Sequence, residues 1–198
     1  MSHPEQVTAL TAGGASFIQL RDKFASAAEF YHAAVHAIDR AHRNDAKIII
    51  NDRVDIALAC GADGVHLGQD DLGPAHARKL LGPSAIIGFS THSIKQAMEA
   101  LQLPIDYVAI GPIFSTTTKE DHDPVIGLDV LRAVRKLAPA FPIVAIGGIN
   151  RENAPSVIAA GADSVAMISD IISEPSQIET RVRDLLADLD TINIVGNG

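Results

Sequence analysis

Ile48-Ile49-Ile50-Asn51-Asp52 and Ile110-Gly111-Pro112-Ile113-Phe114-Ser115-Thr116-Thr117-Thr118-Lys119 share one plan: an unbroken apolar run that stops in small and polar residues. Strands of a parallel sheet are covered on both faces, so they read as continuous hydrophobic runs and not as alternating ones. Ligands in such folds gather beyond the carboxyl ends of the strands. The polar endings therefore mark one face of one site. Five further runs follow the plan, giving strand starts near Phe17, Lys47, Val65, Ile86, Tyr107, Ile143 and Val165.

The segments between these runs carry helical periodicity, as in Ala27 to Arg40, Ile94 to Leu101 and Leu128 to Leu137. Strand and helix alternating at this pace predict a mainly parallel α/β fold with right-handed crossovers. Gly14-Ala15-Ser16-Phe17, Gly61-Ala62-Asp63-Gly64-Val65 and Gly161-Ala162-Asp163-Ser164-Val165 form a weak repeat. In each, glycine stands where a helix ends in the left-handed region and a strand begins.

Seven strands fall one short of a closed eight-stranded barrel, whose lower length limit is near 200 residues. Gln6 to Thr11 reads as the end of a helix with no strand before it. Residues 1–198 read as one barrel domain. The tail 190–198, with Thr191-Ile192-Asn193-Ile194-Val195-Gly196, either frays or fills the vacant strand position.

At 198 residues and 47% hydrophobic content, the chain can bury roughly 70% of its unfolded surface, enough for one core. A formal charge of −8 argues against nucleic acid and anionic membranes, which need clustered cations. Small phosphorylated ligands stay open, because local Lys and Arg overrule charges beyond a screening length of about 8 to 10 Å. Cys60 is the only cysteine, which fits a reducing compartment. No signal pattern or apolar stretch of roughly 20 residues is present. The expectation is a soluble cytoplasmic protein; the oligomeric state is open.

Asp52 and Asp71 end neighbouring strand units and could share Mg²⁺, which takes one or two carboxylates plus substrate phosphate oxygens. The competing reading makes each a helix cap. Gln19, Arg21 and Lys23 alternate, so a period of two points them to one side, away from Leu20 and Asp22. Arg21 and Lys23 suit phosphate, and Gln19 can both donate to and accept from a heteroaromatic ring. Lys119 follows a run of hydroxyls in a loop able to close over a ligand. Gly147-Gly148 and Ile168-Ser169 end the last two strands, where barrels bind phosphate through backbone amides. Ser90 could donate to a phosphate, His92 suits a structural hydrogen bond or proton transfer, and His66 reads as packing.

Taken in order, Gln19 to Lys23, Asn51-Asp52, Gly68 to Asp71, Gly111 to Phe114, Thr116 to Lys119, Gly147 to Ile149 and Met167 to Ser169 resemble thiamine phosphate synthases. The resemblance runs from Gly14 to about Asp188. It implies a (β/α)8 barrel of the TIM type whose first strand is missing from this chain. The implied reaction joins 4-amino-5-hydroxymethyl-2-methylpyrimidine diphosphate to thiazole phosphate, giving thiamine phosphate and pyrophosphate. By the same resemblance Gln19 reads the aminopyrimidine, while Arg21, Lys23, Asn51, Ser90 and Lys119 hold the diphosphate. Arg21, Ser90 and Lys119 are the catalytic set. Asp52 and Asp71 carry Mg²⁺, Thr116 and Thr118 approach the thiazole, and Gly148, Ile168 and Ser169 hold its phosphate. A thiazole tautomerase, with His92 moving the proton, and a non-catalytic phosphate-binding barrel are the alternatives.

Overall fold

The first strand to form a covered element in the computed structural model is preceded by α1 (His3–Ala12). From there the chain alternates: β1 (Phe17–Leu20), α2 (Ala27–His42), β2 (Lys47–Asn51), α3 (Val54–Cys60), β3 (Gly64–Leu67), α4 (Pro74–Leu81), β4 (Ile86–Thr91) and α5 (Ile94–Ala100). It continues with β5 (Tyr107–Ile110), α6 (Gly127–Leu137), β6 (Ile143–Ile146), α7 (Ala154–Ala159), β7 (Ser164–Ala166), α8 (Ser169–Ile172) and α9 (Ile178–Val195). The structure describes residues 1–115 and 124–195, with side chains to 190. No helix among the described residues is long and apolar enough to cross a membrane.

The seven strands pair in sequence order, each parallel to the next, with Gln19 opposite Ile49, Asn51 opposite His66 and Ser90 opposite Ala109. Ile48, Ile49 and Ile50 are all fully buried, as a strand covered on both faces requires. The sheet curls far enough for β1 to face β5: Phe17 meets Tyr107 edge to face, ring centroids 5.7 Å apart. This is a barrel wall of seven strands, one short of eight. β1 shows the consequence, because Ile18 and Leu20 are buried on the helical side while Phe17, on the lumen side, stays 46% exposed.

Of the two readings of the tail, the inserted strand is not what Thr191 to Val195 form: they continue α9 as helix. Ile178, Val182, Leu185 and Leu189 recur at helical spacing and pack on the core, so the apolar stripe sustains the helix. The outer layer does close at this seam. α1 meets α9 where Gly13 lies against Val182, and a Cβ at Gly13 would come within 2.7 Å of that side chain.

Helix endings follow the glycine repeat, with φ of +102° at Gly14, +66° at Gly61 and +110° at Gly161. The aspartates of the repeat, and Asp106 before β5, bind the amino ends of neighbouring strands. Asp63 accepts the N–H of Ile48 at 2.8 Å, Asp106 that of Ile87 at 2.7 Å and Asp163 that of Ile143 at 2.7 Å. Each is gripped by a base from a preceding helix: His42, Arg78 and Arg135 respectively. The Ile48 N–H, His42 and Lys47 hold the Asp63 carboxyl below its usual range against the opposing effect of burial. A cleft of about 640 Å³ lies at this end, between β7 and α9, lined in part by Arg135, Asp163, Leu186 and Leu189. It is remote from the polar strand endings.

Arg135 also donates to the carbonyls of Ala138, Pro139, Phe141 and Gly161. Arg135→Met strands these acceptors and the Asp163 carboxylate together. Urea unfolding is expected to show a loss of about 2 to 3 kcal/mol, with ligand binding at the opposite rim unaffected.

Candidate active site at the carboxyl rim

Parallel pairing delivers the ends of all seven strands to one rim. At the end of β2 the chain turns sharply: Asp52 adopts φ +62°, its N–H donating to the His66 carbonyl at 2.8 Å. Left-handed backbone is uncommon outside glycine, and aspartate tolerates it better than most. The turn keeps Asp52 out of the helix that follows. α3 is preceded by Arg53 with no side-chain cap, so Asp52 is not a helix cap. Arg53 itself turns to Asp55, at 2.6 Å.

Asp71 comes from the loop after β3, where its Oδ2 accepts the Gly68 N–H at 2.7 Å. It braces that loop and does not cap α4, whose cap position is Gly73. The two carboxyls lie within hydrogen-bonding reach of each other. Burial, and then the Asp71 charge, push the Asp52 carboxyl above its usual range, while Arg21 and Lys23 pull it back. Four residues expected at the site thus act on one another through space. Asp22, on the other side of the strand end, accepts the Phe24 and Ala25 N–H groups at 2.9 and 3.0 Å, folding the loop that carries Arg21 and Lys23.

A second group crosses the lumen. Ser90 Oγ lies 2.8 Å from His66 Nε2, His66 Nδ1 lies 2.9 Å from the Tyr107 hydroxyl, and Gln19 hydrogen-bonds that same hydroxyl. The His66 and Tyr107 rings stack with centroids 5.5 Å apart. They can do so because β4 offers Gly88 beneath them: a Cβ there would fall 2.0 Å from Tyr107 Cζ and 2.5 Å from His66 Nδ1. Burial pushes the Tyr107 hydroxyl up, with Gln19 acting in the opposite direction. Tyr107 therefore stays protonated and can donate. His66 is not mere packing, and Tyr107 escaped the sequence reading altogether. The available signal was the pairing of a strand glycine with a lone tyrosine among aliphatics.

Ser90 is further fixed by its carbonyl, which accepts from Gln69 Nε2 at 2.5 Å. Asn51, half-buried, ends β2 in register with His66. His92 Nδ1 contacts the Gly111 carbonyl at 2.7 Å, a structural bond between strand ends. At β6, the Gly147-Gly148 turn passes so close to the β5 loop that a Cβ at Gly148 would lie 2.4 Å from the Ser115 carbonyl oxygen. Ile168 and Ser169 are exposed at the start of α8. Thr116, Thr118 and Lys119 lie outside the described residues.

Among the described residues no group of three or more His, Cys, Asp or Glu side chains is placed to hold a metal ion. Asp52 with Asp71 is a two-carboxylate set. That number suits a hard cation whose other ligands are water and phosphate oxygens. A carboxylate whose proton affinity is raised by burial and by a neighbouring carboxylate, as at Asp52, is the chemistry a divalent cation relieves.

The family model described as thiamine monophosphate synthase matches residues 1–171. The thiamine-phosphate synthase of Koribacter versatilis is 51% identical over 168 residues, 85% of this chain and 79% of that protein. The thiamine-phosphate synthase of Chloroflexus aurantiacus is 46% identical over 172 residues, covering 87% and 79%. Among solved structures, thiamine phosphate pyrophosphorylase from Pyrococcus furiosus superposes with a TM-score of 0.86 at 35% identity, covering 96% of this chain and 90% of that one.

Because the folded chain holds the Asp52 proton more tightly than the unfolded chain, stability falls as pH rises through the folded carboxyl's range. Asp71→Asn keeps an acceptor for Gly68 and removes the opposing charge. In divalent-free buffer the variant is expected to melt above the parent near neutral pH. The gap closes below about pH 4, as the Asp52 carboxyl becomes protonated in folded and unfolded chains alike. Equal melting midpoints at neutral pH would show that the two charges do not meet.

Proposed function

The chain belongs to the thiamine monophosphate synthase family, and from that premise we propose how its rim residues divide the work. The reaction joins 4-amino-5-hydroxymethyl-2-methylpyrimidine diphosphate to thiazole phosphate, yielding thiamine phosphate and pyrophosphate. The bond between the pyrimidine methylene and the diphosphate oxygen breaks, its electron pair leaving with oxygen. The thiazole nitrogen lone pair forms the new bond to carbon. Negative charge grows on the departing oxygens and positive charge on the methylene, where the aminopyrimidine ring disperses it. Substitution is dissociative, and no protein nucleophile takes part.

The observation that carries this assignment is that the Asp52 carboxyl feels the charges of Asp71, Arg21 and Lys23 together. Asp52 and Asp71 would hold Mg²⁺, which when bound supplies positive charge to the leaving diphosphate. Arg21, Lys23, Asn51, Ser90 and Lys119 grip the diphosphate oxygens; Arg21 is able to do so in two places at once. Arg21, Ser90 and Lys119 follow the charge as it moves onto the leaving group. Gln19 reads the aminopyrimidine with its carboxamide oriented by Tyr107. Through His66 the same hydroxyl is linked to Ser90, so the two ends of the pyrimidine substrate are held by one set of bonds. Thr116 and Thr118 face the thiazole, and Gly148, Ile168 and Ser169 take its phosphate. Holding the nitrogen in place before the carbon is released makes capture faster than loss to water.

The relatives described above are synthases, and nothing found supports the tautomerase or the non-catalytic barrel. His92 is engaged by the Gly111 carbonyl. We place the reaction in the cytoplasm: the lone thiol of Cys60 has its pKa raised by burial and fits a reducing compartment. Substrates are small molecules; a net charge of −8 does not favour nucleic acid.

Incubating the chain with both substrates and Mg²⁺ is expected to release pyrophosphate and thiamine phosphate in equal amounts, and chelation with EDTA to stop it. Arg21→Ala is expected to slow turnover roughly a hundred- to a thousand-fold, as loss of one well-placed charge donor does. Thiazole isomerisation, or binding of both substrates without pyrophosphate, would defeat the assignment.

A further inference from the structure

The loops after β6 and β7 are tied together by a pair of charges that the reaction above does not use. Arg151, three residues beyond Gly148, donates to one oxygen of Asp170 twice: from its backbone N–H at 3.0 Å and from Nε at 3.0 Å. Asp170 directly follows Ser169 in α8. Both side chains are partly withdrawn from solvent, at 37% and 27% exposure.

Each partner is anchored beyond the pair. The Asp170 carbonyl accepts from Arg181 Nη1 at 2.9 Å, and the same nitrogen lies 2.8 Å from Ser173 Oγ, so α9 holds α8 from behind. On the other side, Asn153 Nδ2 donates to the Gly148 carbonyl at 3.0 Å, and Asn150 Oδ1 accepts the N–H groups of Glu152 and Asn153 at 3.0 and 2.9 Å. The Gly148 turn and the Ser169 turn are thus each rigid locally. Arg151 and Asp170 link them directly.

That link matters because α8 has only four residues. One turn of helix has no cooperative stability of its own and takes its orientation from its contacts. A phosphate shared between two loops needs donors from both within hydrogen-bonding distance, a tolerance of about 0.5 Å. The charges of Arg151 and Asp170 cancel, so the pair brings little net field to the rim. What it brings is spacing.

We infer that Arg151 and Asp170 form a clip that sets the distance between Gly148 and Ser169, and are positioning residues for the phosphate of the thiazole substrate. The inference rests on the reading that Gly148 and Ser169 take that phosphate.

Steady-state pyrophosphate release by the full chain with Mg²⁺ tests it. Asp170→Ala and the double variant with Arg151→Ala are expected to raise KM for thiazole phosphate by the same factor, roughly tenfold, because Arg151 acts through Asp170, while Arg151→Ala alone, which keeps the backbone N–H bond to Asp170, raises it by less. KM for the pyrimidine diphosphate and the melting midpoint stay at native values. Where Arg151→Ala lowers the midpoint, Arg151→Met, which keeps the aliphatic stem, takes its place. A lower KM in Asp170→Ala would show Arg151 acting as a free charge on the phosphate, and additive effects would show two independent roles; either overturns the clip. Ser169→Asp, which sets a negative charge beside the phosphate whether hydroxyl or amide holds it, separates the two readings. If it raises KM while the Arg151 and Asp170 variants do not, the phosphate site stands and the clip is wrong. If Ser169→Asp leaves KM unchanged as well, the phosphate lies elsewhere and both readings fall.

Discussion

Parallel register is the constraint from which the rest of this molecule follows. With every strand paired parallel to the next, β1 to β7 all finish at the same rim, and the residues after each strand have no other place to go. Separate loops drawn from across the sequence, from Gln19 to Ser169, are thereby made neighbours. The opposite end receives the aspartates that directly precede β3, β5 and β7, each clamped by a base and by a strand N–H. One end of the sheet carries substrate chemistry and the other carries stability.

Within the rim, electrostatics and hydrogen bonding solve different problems. Asp52 and Asp71 face each other closely enough to raise proton affinity, with Arg21 and Lys23 opposing the effect. In the proposed assignment a cation answers the two carboxylates and a polyanion answers Arg21 and Lys23. The lumen instead holds a neutral chain of donors and acceptors, Gln19 to Tyr107 to His66 to Ser90. A neutral chain orients groups without adding net charge. It suits the reading of an aromatic ring beside a highly charged diphosphate.

The strand starts were readable because a buried parallel strand leaves a trace: an apolar run that stops in small or polar residues. Ile48 to Ile50, ending in Asn51-Asp52, and Ile143 to Ile146, ending in Gly147-Gly148, are examples. Asp52, Asp71, Arg21 and Lys23 were readable because charged residues directly after such runs have to lie at the rim. The tail was misjudged for a local reason. Ile192, Ile194 and Val195 look like a strand in isolation, but the stripe of Ile178, Val182, Leu185 and Leu189 carries the helix through them. His66 was underrated because a histidine inside an apolar run looks the same whether it packs or bonds. The difference lies in Tyr107, forty-one residues further on.

By itself, then, the sequence determined the alternation of elements, the parallel sheet and the charged residues that follow the strands at one rim. These are properties of nearest neighbours along the chain: periodicity, glycine at helix ends, polarity at strand ends. Tertiary structure alone decided which residues touch across the lumen and between loops. Tyr107 reaches both Gln19 and His66 because the sheet curls and Gly88 leaves room, and Arg151 meets Asp170 because the turns after β6 and β7 are adjacent. Such contacts depend on curvature and side-chain direction, quantities fixed only when the whole sheet has closed on its core.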